Sequence, residues 1–242
     1  MWVFPLVAAA LAAAFSGLVA RRYVARRRSY HLAWALALAM YAAASVVVAV
    51  GMAGSWTPRG FQLYWALGAV LNVPFLAAGE LMLLVRNQRV QVLCWLVLVF
   101  ITAYTVSVLR GASIDAAALA SDLPSGRAVL ADGSAARRLP QLISTPSFLV
   151  LVAGALWSAF RVRGRPELRD RFVGTLLIAA GATVIAGLGS YFAFHGRAVA
   201  FSSALAMGIG VMFVGFLRAS RATPAPTGEA AGVHQMRARS GR

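Results

Sequence analysis

Seven apolar stretches, most of them close to the length that crosses a bilayer, leave this chain few folds to choose from. They occupy residues 2–20, 31–53, 61–85, 90–109, 142–160, 172–194 and 198–217. About 20 apolar residues span the hydrocarbon core as a helix, and a helix satisfies its own backbone N–H and C=O groups where no water is present. With 60% hydrophobic and only 12% charged positions and a mean hydropathy of +0.75, an ordinary soluble domain is excluded. The expectation is an all-α, polytopic membrane bundle of seven transmembrane helices within residues 1–218, placed in the plasma membrane. The first stretch lacks the basic leader of a signal peptide and runs straight into Arg21, Arg22, Arg26, Arg27 and Arg28, so it counts as a membrane helix.

All 23 basic residues are arginines, against 7 acids, for a net charge of +16. They cluster between the apolar stretches, which reads as a topology signal and a contact for anionic lipid headgroups, not as a nucleic-acid surface. Seven spans put alternate loops on the same side, and the 23 arginines then divide seventeen to six. The rich side holds the clusters at 21–28 and 161–171, Arg86, Arg89 and the tail; the poor side holds Arg59, Arg110, Arg127, Arg137, Arg138 and Arg197. This places the N-terminus outside and the C-terminus in the cytoplasm. The connections after the first and fifth helices are both basic, and those after the second and sixth are both short and contain glycine. That pattern points to a 3-1-3 parallel repeat around a linker helix.

Small residues at four-residue spacing mark expected packing faces: Ala9, Ala13 and Gly17; Ala179, Thr183 and Gly187; Ala204 and Gly208. Residues 111–141 form one long outer loop with Asp115, Asp122 and Asp132. It is expected to be a partly ordered cap, with 127–130 as the first arm of a hairpin turning at Asp132-Gly133. Thr145-Pro146 reads as N-cap and first residue of the fifth helix. The tail 219–242, rich in Pro, Gly, Ala and Arg, is expected to be disordered. Trp56, Tyr64, Trp65 and Tyr191 at one boundary, and Tyr23, Tyr30 and Trp34 at the other, read as aromatic belts.

The third stretch differs in kind, because it holds Glu80, the one acid inside any apolar run, together with Asn72 and Pro74. Helical spacing puts Trp65, Gly68, Asn72, Gly79 and Leu83 on one stripe and Glu80 to its side. Pro74 has no amide to give the Val70 carbonyl, so that oxygen needs another donor. Glu80 lies six residues before Arg86, about 9 Å from the boundary at ~1.5 Å per residue. Arginines that reach inward are its candidate partners, namely Arg22, Arg161, Arg171 and Arg218. Two readings stand open: a structural ion pair, or a carboxylate in a wet cavity that binds a cation or proton. Ser202 and Ser203 in the seventh helix complete the candidate intramembrane polar site.

No lysine occurs, so the retinal Schiff base of microbial rhodopsins is excluded. His31, His195 and His234 fall in three separate places, and Cys94 is the sole cysteine, so neither haem nor a metal centre is expected. No hydrolase, nucleotide or zinc motif appears, and catalysis is not expected.

The 3-1-3 order, with Asn72 and Pro74 in one repeat and Ser202 and Ser203 in the other, is similar in topology to sugar-efflux and PQ-loop permeases. The chain departs from them in having Pro140-Gln141 ahead of the fifth helix and no proline in the second or sixth. The segments YHLAWALAL, YWALGAVLNVPFLAAGE and PSFLVLVAGALWSAFR resemble bacterial seven-helix membrane proteins, which implies fold and an inner-membrane location but no activity. The function expected is a non-catalytic small-molecule-binding or accessory membrane component, open to membrane-protein partners. The alternatives are a small-solute permease with Glu80 as coupling carboxylate and a lipid-modifying enzyme.

Overall fold

The computed structural model describes residues 2–85, 87–162 and 169–221. Seven helices are long and apolar enough to cross a membrane: α1 (Val3–Arg26), α2 (Ser29–Ala53), α3 (Pro58–Leu84), α4 (Gln88–Arg110), α5 (Ala135–Arg161), α6 (Phe172–Phe194) and α7 (Ala198–Ala219). No β-strand occurs among the described residues. This is the architecture of a multi-pass membrane protein. Arg86, Arg163, Arg165 and residues 222–242 lie outside the described residues; of the expected disordered tail 219–242, residues 219–221 continue the last helix.

Neighbours follow a closed order. α1 packs on α2, α2 on α3, α3 on α5, α5 on α6, α6 on α7, and α7 returns to α1. α4 stands outside this ring of six, resting on α3 and the first turns of α5. The tightest crossing is α6 on α7, and glycine is the reason. A methyl at Gly181 would come within 2.5 Å of the Gly208 carbonyl oxygen, and one at Gly174 within 2.5 Å of that of Gly215. Without a water-driven hydrophobic term between helices, such close backbone approach is what holds them.

Two expected packing faces are corrected. Ala13 and Gly17 are exposed, and neither Gly17 nor Gly187 has a neighbour within 4 Å of an added methyl. The buried residues of α1 are Pro5, Ala8, Ala9, Ala12, Phe15 and Val19, so Ala9 alone of the expected face is buried. Phe15 sets the buried face by inserting between Phe213 and Phe216 of α7, ring centroids at 5.4 and 4.7 Å. Small residues permit approach, but the large side chain that finds a slot decides which face is used.

Residues 111–134 close one end of the bundle as a packed cap. Leu119, Leu123, Val129 and Leu130 are buried and continuous with the core. The indole of Trp56 ties the cap down by donating to the Asp122 carbonyl (3.1 Å), and that of Trp65, packed against Gly126 of the cap, donates to the Ala136 carbonyl of α5 (3.0 Å). These two indoles, with that of Trp34, each donate to a backbone oxygen of another element, as an indole N–H away from water requires. The expected hairpin is absent. Gly126–Val129 makes one helical turn capped by Ser125, Leu130 instead pairs antiparallel with Ile114, and Asp132 binds Arg137.

Thr145 is not an N-cap either. α5 begins at Ala135, where the Ser134 hydroxyl accepts from the Arg137 amide at 3.4 Å. It passes its prolines through a widened π-helical turn, Pro140–Ser144. Pro140 and Pro146 each withhold an amide, and the extra residue of a π turn absorbs the mismatch. At the start of α3, Thr57 caps and Pro58 takes the first helical position, where its missing N–H costs nothing.

Candidate functional site at the break in α3

α3 is not one continuous α-helix. Trp65–Leu71 is π-helical, and the α register resumes at Asn72. The disturbance traces to Pro74. In the α register its nitrogen would serve the carbonyl of Val70, in the π register that of Ala69, and proline serves neither. Both oxygens are met from another helix. The Ser144 hydroxyl, in the π turn of α5, lies 2.7 Å from the Ala69 oxygen and 3.0 Å from that of Val70. Val70 is fully buried, so one side-chain hydroxyl stitches the break where water does not reach. The sequence calls for such a donor without naming it.

Asn72 sits at the first residue after the π segment and is 5% exposed. Its Oδ1 is buried and has no hydrogen-bond partner among the described residues. An unmet amide oxygen costs about 1–3 kcal/mol in a protein interior, which marks this atom, like the buried Thr105 Oγ1 and His31 Nδ1, as a place where a partner is missing among the described residues.

Glu80, 8% exposed, lies eight residues further along α3, ~12 Å down the axis at ~1.5 Å per residue. Glycines make room on both sides of it. A methyl at Gly154 of α5 would come within 2.7 Å of its Cγ. At Gly79 a methyl would overlap the indole of Trp34, whose Nε1 donates to the Leu76 carbonyl at 3.1 Å. Of the candidate arginines, Arg22 lies over the Phe216 ring at 4.4 Å, Arg161 over Trp157 at 5.6 Å, and Arg218 bonds Asp170 at 3.3 Å. The side chain of Arg171 lies outside the described residues.

Ser202 and Ser203 belong elsewhere. Ser202 is fully buried, donates to the Ala198 carbonyl at 2.8 Å and faces Met52 near the end of α2. Ser203 donates to the Ala200 carbonyl at 3.0 Å. Both hydroxyls are occupied by their own helix. The polar residues singled out in the sequence thus meet different partners at different places, with Asn72 and Pro74 on one level and Glu80 below them.

Comparison of the chain with known protein families, curated proteins and solved structures finds no match.

Proposed function

We propose that this protein is a non-catalytic plasma-membrane component that takes a small hydrogen-bond-donating molecule at the α3 break. The observation that carries the reading is the Asn72 Oδ1, buried and without a donor among the described residues, on the same helix break as two carbonyls held by the single hydroxyl of Ser144. A ligand N–H or O–H would meet the amide oxygen and could share or displace Ser144, with no cofactor needed. Mass spectrometry of small molecules that co-purify with the protein tests it. The wild type is expected to retain a bound molecule that Asn72→Leu loses while still folding; an identical or empty inventory in both contradicts it.

The second reading, a permease, is favoured by one further observation: α4 lies outside a ring in which α1–α3 and α5–α7 form two consecutive groups of three. The 3-1-3 parallel repeat belongs to this reading, as does an outer N-terminus with the arginine-rich loops and the C-terminus on anionic lipid in the cytoplasm. Glu80 is then the coupling carboxylate. On that reading Glu80→Gln abolishes flux in liposomes and leaves the fold intact. As a structural clasp against Arg171 or another arginine, the same change lowers stability instead. Tags at Ser125 and at the C-terminus are expected to label from opposite sides; labelling from one side sinks the topology.

A further inference from the structure

A groove of about 740 Å³ opens on the lipid-facing flank where α4 leans away from the ring. That size lies within the range of ligand-binding clefts, ~300–1,000 Å³. Its walls are Leu36 of α2, Phe75 of α3, and Trp95, Val99 and Ala103 of α4, and Arg110 stands at one end. Thr102 adds no polarity, because its hydroxyl is turned back to the Leu98 carbonyl at 2.7 Å. At the far end Phe75 and Trp95 meet edge to face, centroids 6.4 Å apart, and close the groove.

We infer that this groove holds an acyl chain of a bilayer phospholipid whose anionic headgroup is met by Arg110. Three features carry the assignment. The fifteen helical steps from Trp95 to Arg110 span ~22 Å at ~1.5 Å per residue, longer than the ~15 Å that half the hydrocarbon core measures. A chain anchored at the Arg110 boundary therefore lies in the groove along its whole length. The wall is apolar over most of that length, with Ser107 one turn from the mouth and charge only at Arg110. Arg110 itself is exposed and makes no ion pair with the acids of the described residues, where the Arg137–Asp132 and Arg218–Asp170 pairs occupy others. Its guanidinium suits a phosphate. A zwitterionic headgroup brings its own ammonium to compete for that phosphate, while an anionic one does not, so the site selects for negative charge. This goes beyond the α3 ligand reading and does not depend on it.

Vesicles of brominated phosphatidylglycerol mixed with phosphatidylcholine test the inference through quenching of Trp95, taken as the difference between the wild type and Trp95→Phe. The expected result is an anionic preference of about fivefold, the worth of one arginine near a charged surface. It falls to near one in Arg110→Gln with quenching itself retained. Ala103→Phe, which fills the groove, is expected to weaken quenching by both lipids; Ser107→Phe replaces it if that variant does not insert. Equal quenching by both lipids in the wild type, or an unchanged preference in Arg110→Gln, overturns the inference. So does a dimer in native mass spectrometry that shields Trp95 from either lipid, because the occupant is then a second copy of the chain.

Discussion

α3 and α4 are consecutive, both cross the membrane, and α4 is the more apolar of the two. Half of the most hydropathic window of α3 is buried, against 22% for α4. α3 is held by Trp34 from α2 and by Ser144 and Gly154 from α5, and its Gln62 side chain donates to the Leu109 carbonyl of α4 at 2.8 Å. α4 instead turns Leu93, Leu96, Val99 and Phe100 outward, each at least 60% exposed. In a membrane, then, hydropathy tells that a helix spans, while glycines, broken backbone and hydrogen-bonding side chains tell where it stands. A bilayer is as apolar as leucine, so leucine confers no position.

Substitutions on the two helices should separate sharply. Gly79→Leu drives a side chain into the Trp34 indole, an overpacking expected to cost about 3 kcal/mol in reversible unfolding from mixed micelles. A cost under ~0.5 kcal/mol would mean that α2 and α3 do not touch there. Trp65→Phe keeps the ring but loses the bond to Ala136. About 1 kcal/mol of stability should go with it, together with faster proteolysis within 111–134, since the ring packed against Gly126 then loses its anchor on α5; an unaltered cleavage rate would separate the cap from α3. The smallest effect belongs to Leu96→Ala on α4, expected within ~0.5 kcal/mol of wild type. A loss of 2 kcal/mol there would show that α4 is packed against protein and would erase the contrast.

Much of the frame was legible in the sequence. Seven spans follow from length and hydropathy, and the odd character of α3 from Asn72, Pro74 and Glu80. The donor requirement at Val70 follows from proline chemistry alone. What was not legible depends on neighbours. Gly17 and Gly181 look alike in a helical repeat, yet only Gly181 lies under a facing backbone. Residues 127–130 carry the residue types of a hairpin arm, but Ser125 captures them as a helical turn. Trp56 and Trp65 sit at belt positions by count, and only the fold of the cap turns their N–H groups inward. Ser144 precedes Thr145-Pro146 and looks like part of a helix start; its role appears only once α5 lies against α3.

The central claim is that the Ser144 hydroxyl stands in for the amide that Pro74 lacks, and a double-mutant cycle addresses it directly. Pro74→Ala supplies an N–H for the helix's own carbonyl, so the hydroxyl should matter less in that background. Ser144→Ala is predicted to cost about 1 kcal/mol in the wild type and less than half of that in Pro74→Ala, a coupling of about 0.5 kcal/mol or more. Equal costs in the two backgrounds would contradict the account, because Ser144 would then hold α5 in place without repairing the break in α3.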